Sequence, residues 1–206
     1  MGEARSIEVL VSDVGQVLLP FDTSRVWERL LGATSLPEAE FRALLHELYH
    51  ALDIDRRAEV GREFHAELVR RGGLRLRFEE FAWAWSDMFW EDAETIALIA
   101  GAPVRQRWLL SNTNALHWEF ILRRFPHVVA RFDGWIASHE CGRCKPGPEI
   151  FRLVMRRTGL PPEAHLFIDD LAENVAAARA LGMDGIVHTD AAALAEELAR
   201  RGLAPG

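Results

Sequence analysis

The sequence predicts an α/β fold in which a parallel sheet with flanking helices carries a small helical domain inserted after its first strand. Short apolar runs recur and stop at Asp, Ser or His, as buried parallel strands do where they feed loops. Helical segments lie between them, which implies right-handed βαβ crossovers. In one long stretch the strand-like runs vanish and apolar residues fall at helical spacing instead.

In chain order, Ile7 to Val11 is a β-branched and leucine-rich run that stops at Ser12, Asp13 and Gly15, and it predicts the first strand. From about Thr23 to Asp92 the spacing of Phe41, Leu44, Leu45 and Leu48, of Phe64 and Leu68, and of Phe78, Phe81, Trp85, Met88 and Phe89 predicts helices. Residues 1–22 and 93–206 are therefore assigned to the sheet domain and residues 23–92 to a helical cap. Four further strands follow: Arg107 to Leu110, ending at Ser111 and Asn112; Gly134 to Ala137, ending at Ser138; Leu166 to Ile168, ending at Asp169 and Asp170; and Gly185 to Val187, ending at His188. Helices are expected over Pro148 to Thr158 and over Leu171 to Leu181, where Gly182 suits a left-handed cap. The alanine-rich Ala191 to Arg201 reads as a plain surface helix. Ligands of open α/β sheets bind beyond the carboxyl ends of the strands, so an insertion placed after the first strand roofs that region.

The chain has 206 residues, 49% of them hydrophobic, which is ample for a packed core. A net charge of -7 provides no basic field for nucleic acid or an anionic membrane. No apolar run approaches the roughly 18 residues of a membrane span. The 2 cysteines cannot build a disulfide framework, and the start MGEARSIEVLVSD has no long apolar segment of a signal peptide, so the cytoplasm is the expected location. A small anionic substrate would need locally placed positive charge. Nothing in the sequence fixes the oligomeric state.

Asp13, Ser111, Lys145, Asp169 and Asp170 stand at or near successive strand ends. Singly, each has an ordinary reading as a turn former, helix cap or solvated loop residue. Together, and in this order, VLVSDVGQVLLPFD, WLLSNTN, CKPGPEIF and LFIDDLAENVAAARALGM resemble the four signature motifs of the haloacid-dehalogenase-like hydrolase superfamily. They span nearly the whole predicted core. The run DVGQVL resembles the small-cap phosphatases that act on sugar phosphates such as glucose 1-phosphate, and the helical insertion is similar to that family's C1 cap. The resemblance implies a Rossmann-like core and Mg²⁺-dependent hydrolysis of a small phosphate monoester, a small phosphorylated metabolite.

The residue types suit that chemistry. A carboxylate such as Asp13 can attack phosphorus and form an aspartyl-phosphate, splitting one hard displacement into two easier ones. Mg²⁺ prefers oxygen ligands, and the Asp13 carboxylate, the Gly15 carbonyl and Asp170 would fill three of its positions. The family's geometry favours Asp170 over Asp169 for direct ligation and leaves Asp169 to bond Lys145 or metal-bound water. Lys145 would hold the phosphoryl oxygens, while Ser111, Asn112 and the neighbouring amides, with those at the start of the following helix, bind phosphate. Asn174, one helical turn beyond Asp170, would orient the carboxylates.

One residue departs from the family pattern. Its phosphatases usually carry a second aspartate, the general acid and base, two residues after the nucleophile, and here that position is Gly15. The leaving oxygen must then depart poorly protonated, take its proton from the cap or water, or come from a more acidic alcohol; leaving groups of low basicity are expected. The same gap admits a metal-independent 2-haloacid dehalogenase, although the doubled Asp169-Asp170 favours metal. It also admits a phospholigand-binding module that has lost turnover.

Other features have plainer readings. Cys141 and Cys144 form a C-x-x-C before Lys145 without the second pair of a four-thiolate zinc site. His46 and His50 share one face of a cap helix near Asp53; turned toward Asp13, either could replace the missing acid, and otherwise they are a solvated surface. Trp83, Trp85 and Trp90 read as packing. Phe21 and Asp22 sit where the chain enters the cap and are candidates for hinge or substrate contacts.

Overall fold

The computed structural model describes residues 7–205. Residues 1–6 and 206, which the sequence assigns to the sheet domain, lie outside the described residues. Five parallel strands, β1 (Val9–Ser12), β2 (Gln106–Ser111), β3 (Gly134–Ala137), β4 (His165–Asp169) and β5 (Asp184–Val187), form one sheet in the order β3-β2-β1-β4-β5. β1 is central, with Val9 opposite Gln106 on one side and His165 on the other. Each strand lies within a residue or two of its predicted run.

Both faces of the sheet are covered, so the strands read as continuous apolar runs although their side chains alternate. Leu10 packs with Ile96 and Ile99 of a helix at Ala93–Gly101, Trp118 and Ile121 of one at Ala115–Arg124, and Leu194 and Leu198 of one at Ala191–Arg200. Val9 and Val11 point the other way, onto Ile150 and Val154 of Pro148–Thr158 and Val175 and Ala178 of Ala172–Ala180. The Ala172–Ala180 helix is slightly shorter than predicted, and Gly182 beyond it holds φ +94°, as the cap requires.

Between β1 and the Ala93–Gly101 helix lie four helices, α1 (Ser24–Leu31), α2 (Glu38–Ala51), α3 (Gly61–Gly72) and α4 (Phe78–Ser86), with a 3-10 turn at Ile54–Arg56. They enclose a hydrophobic cluster of their own, in which Phe41, Leu48, Phe64, Leu68 and Phe81 are buried. Leu116, from the sheet domain, joins it. The two chain segments connecting these helices to the sheet lie side by side: Trp90 N–H donates to Pro20 O at 3.0 Å, Asp92 N–H to Leu18 O at 3.0 Å, and Asp22 N–H to Met88 O at 3.2 Å. The rings of Phe21 and Phe89 meet edge to face across this ladder, 5.6 Å apart. Among the described residues no helix is long and apolar enough to cross a membrane.

Candidate active site

The carboxyl ends of β1, β2 and β4 bring together residues far apart in sequence. Asp13 follows β1 directly, and its N–H donates to Ile168 O at 2.8 Å, tying it to the end of β4. Its Oδ1 accepts the Val14 N–H at 2.7 Å and lies 2.8 Å from Lys145 Nζ. Lys145 Nζ also donates to Asp169 Oδ2 at 2.7 Å and to Leu110 O at 2.8 Å. An ammonium has three N–H donors, and these three acceptors engage all of them.

Asp169 is wholly buried and well satisfied: Oδ1 accepts the Leu171 N–H and the Asn174 Nδ2–H, each at 2.9 Å, and Oδ2 takes Lys145. Asn174 thus bonds the carboxylate that Lys145 holds. Asp170, half-buried, completes a group in which oxygens of Asp13, Asp169 and Asp170 lie within 4.8 Å of one another. Three carboxylates face one ammonium, an excess of negative charge built of hard oxygen donors that suits a divalent cation of the magnesium type. The protein's own electrostatics register that excess. Burial, the largest effect, pushes Asp13 up to about 7, Asp169 adds to the rise, and Lys145 opposes it. Asp170 is also raised, by burial first and Asp169 second.

Asn112, beyond β2, turns its side chain to the Lys145 backbone, donating from Nδ2 to the carbonyl at 2.8 Å and accepting the N–H on Oδ1 at 2.8 Å. Its amide side chain therefore positions the Lys145 loop, and Asn112 lines the cavity. Ser111, nearly buried, lines the same cavity. The turn into the next helix uses two of the amides near Asn112 internally. That helix starts at Ala115 with Asn114 as its cap, the Asn114 side chain accepting the His117 N–H at 3.0 Å, and the Thr113 N–H is taken by Ser138 Oγ at 2.9 Å. The Thr113 amide is therefore committed within the protein.

Gly15 lies in the bend after β1, where Gln16 adopts a left-handed φ of +55°, and a Cβ on residue 15 would lie 3.1 Å from Cε1 of Phe21. Above these residues is a cavity of about 370 Å³, walled on the helical side by Trp27, Trp85, Met88 and Phe89. His46 and His50 are exposed, 3.0 Å apart through their Nε2 atoms, and with Asp53 they stay outside the cavity. The solvated reading of that face is the one observed. Trp83 and Trp90 lie at the surface beneath Arg29 and Arg25, while Trp85 is buried. Cys141 and Cys144 are free thiols.

Three residues that the sequence did not single out line this cavity. Tyr49 Oη donates to Asp55, 2.7 Å from each carboxylate oxygen. His117 stacks on Trp85 with centroids 5.4 Å apart, and burial lowers its pKa to about 3, so the ring is neutral at ordinary pH.

Comparison with known proteins agrees with this geometry. The family model of haloacid dehalogenase-like hydrolases matches residues 7–182. The chain is 29% identical over 190 residues to a D-ribitol-5-phosphate phosphatase of Bacteroides thetaiotaomicron, covering 86% of this chain and 90% of that one. A haloacid-dehalogenase-family enzyme of the same organism, crystallised with magnesium and inorganic phosphate, superimposes with a TM-score of 0.76 at 25% identity over 89% of this chain and 95% of that one. An L-2-haloacid dehalogenase of Xanthobacter autotrophicus shares the fold alone, with a TM-score of 0.60 at 20% identity over 97% and 85% of the two chains. With this sheet, these strand ends and a match across most of its length, the chain belongs to the haloacid dehalogenase-like hydrolase family.

Proposed function

We propose that this hydrolase is a magnesium-dependent phosphatase of small phosphate monoesters, sugar or polyol phosphates foremost, acting through an aspartyl-phosphate on Asp13. The observation that carries the reading is that Asp13 and Asp170, at the ends of the adjoining strands β1 and β4, share the floor of one roofed cavity with Lys145, which the buried Asp169 holds against Asp13. Likeness to a ribitol-phosphate phosphatase supports the substrate class. So does the cavity wall: among the described residues, Lys145 is its one lysine or arginine, so the wall holds no lysine or arginine for a second anionic group on the substrate.

Magnesium, held by Asp13, the Gly15 carbonyl and Asp170, would supply the positive charge that lets an anionic nucleophile approach an anionic phosphate. Asp13 attacks phosphorus in line, the P–O bond to the alcohol breaks, and the Asp13 carboxyl group gives up its own charge in an acyl phosphate whose negative charge lies on the phosphoryl oxygens. It then no longer competes for Lys145, whose freed N–H turns to a phosphoryl oxygen. Ser111 and the Asn112 backbone hold a second oxygen, and Asn174 and Lys145 keep Asp169 in place. Water then cleaves the phosphoenzyme. Residues 23–92 roof the site over the sheet domain of residues 1–22 and 93–206, and their movement admits substrate and excludes bulk water.

Phosphate release from glucose 1-phosphate, ribitol 5-phosphate and an aryl phosphate, with Mg²⁺ or excess chelator, tests the reading. Release is expected only with the metal and is expected to vanish in Asp13→Asn. Halide release from a 2-haloacid in chelator would instead make the chain a dehalogenase, and tight phosphate-ester binding without turnover would make it a binding module.

A further inference from the structure

Gly15 has no group to give a leaving oxygen a proton, and Phe21 crowds the space where a side chain would extend from it. In an in-line displacement the leaving oxygen departs on the side of phosphorus opposite Asp13, toward the helical roof. Among the described residues the roof contributes one carboxylic side chain to the cavity, Asp55 of the Ile54–Arg56 turn. Tyr49 Oη, from the last turns of α2, sits 2.7 Å from each of its oxygens. This hydrogen bond fixes the carboxyl plane.

We propose that Asp55 is the acid and base of this hydrolase, protonating the leaving oxygen and later deprotonating the attacking water, with Tyr49 as its positioning residue. The inference rests on the phosphatase reading above. In the first half-reaction an Asp13 Oδ–P bond forms, the P–O bond to the alcohol breaks, and the Asp55 proton passes to the departing oxygen. Neutral alcohol leaves and Asp55 is a carboxylate. In the second, the oxygen of one water bonds to phosphorus, its proton returns to Asp55, and the P–Oδ bond breaks to restore the Asp13 carboxylate and release phosphate. No oxidant, reductant or further co-reactant is consumed.

The surroundings of Asp55 suit both duties. Burial, the largest effect, raises it above the usual carboxylate range and Asp53 adds to this, while the Tyr49 hydroxyl, Arg56 and His139 pull it down. Cys144, from the segment that leads into Lys145, directs its thiol to the Asp55 main-chain carbonyl at 3.9 Å. Tyr49 is itself held well above its ordinary range by burial and by Asp55, so it stays a donor. An acid whose proton is retained closer to neutrality transfers it more effectively than an ordinary surface carboxyl. Leaving groups of high basicity then become accessible, and the bias toward acidic alcohols expected from Gly15 alone is relaxed while Asp55 is protonated.

The test compares kcat/KM for a polyol phosphate, whose alkoxide needs a proton, with that for p-nitrophenyl phosphate, whose leaving group does not. Asp55→Asn is expected to lose roughly 100-fold on the polyol ester and less than about threefold on the aryl ester. The aryl kcat/KM, which ends at release of p-nitrophenol and so precedes the water step that Asp55 assists, also reports that the variant is folded. The alkaline limb of the polyol pH profile should disappear in Asp55→Asn. In Tyr49→Phe that limb should move to higher pH, because the lost hydrogen bond favoured the carboxylate. Equal losses on both esters, or no loss on the polyol ester, would overturn the inference and leave the phosphatase reading intact. A wild type that releases phosphate from neither ester overturns both.

Discussion

The Asn112 side chain and the Lys145 backbone form a reciprocal pair, one hydrogen bond given and one received, each of 2.8 Å. Asn112→Ala would leave a partly buried N–H and C=O without partners, at a cost of about 1–3 kcal/mol. The expected outcome is a lower melting temperature together with a kcat loss of at least roughly tenfold as Lys145 drifts from Asp13. Asn112→Asp keeps the acceptor and should recover part of both. Unchanged kcat in a destabilised Asn112→Ala would make the pair purely structural.

Lys145 is the single lysine among 24 basic residues; every other one is arginine. Its ammonium meets three acceptors around one nitrogen, an arrangement that a planar guanidinium does not reproduce. Lys145→Arg is therefore expected to lose roughly 100-fold or more in phosphate release despite the retained charge. Lys145→Met removes the cation that faces two buried carboxylates and should cost about 3–5 kcal/mol at neutral pH, less at lower pH where Asp13 takes up a proton. Denaturation at pH 7 and pH 4 reads the difference.

Without a divalent cation, Asp13 should make the protein less stable as pH rises. The unfolded chain releases this proton near 3.8, whereas the folded protein keeps it to about 7, so between those values the unfolded state is progressively favoured. Thermal melts in chelator should fall across this window, and Asp13→Asn should flatten the fall. Added Mg²⁺ should raise the melting temperature more at pH 8 than at pH 5, since its carboxylate ligands must be ionised. A melt curve in which wild type and Asp13→Asn run parallel would refute this account.

Gly15→Asp installs the side chain common in related phosphatases and is expected not to raise turnover. Its Cβ would stand 3.1 Å from the Phe21 ring, and that ring is packed edge-on against Phe89. The variant should melt lower than wild type, and Gly15→Asp with Phe21→Ala should recover part of the loss by removing the obstruction. A faster single variant of wild-type stability would show that the ring yields easily.

The sheet was legible because strands buried on both faces leave dense apolar runs with abrupt polar ends, and the helices above it because Phe41, Leu44, Leu45 and Leu48 keep helical spacing. Asp13, Ser111, Asp169 and Asp170 were legible because each sits where a run ends, and Lys145 because it follows the third strand in the motif CKPGPEIF. The partner of Asn112 was not, since two hydrogen bonds to a backbone 33 residues away leave no trace in side-chain pattern. Tyr49 and Asp55 leave little trace in the sequence for a related reason: they meet across the end of α2, where the chain leaves helical periodicity. The lone tyrosine of the sequence, between two histidines, was the available signal. His117 gave none, because stacking on Trp85 joins two segments 32 positions apart. The lone lysine in an arginine-rich chain was a compositional signal that position-by-position reading passes over.

The laddered segments around Phe21 and Phe89 have a mechanical consequence. Because the roof leaves and rejoins its base at one doubled strap, it is expected to move by swing and twist about that strap and not by sliding across the base. Leu116, reaching into the roof's apolar cluster from the sheet domain, is expected to act as a latch, since opening the roof would expose the apolar surface it covers. Shortening it is expected to loosen the roof without altering any group placed to handle phosphate, so substrate entry and chemistry should answer to separate residues.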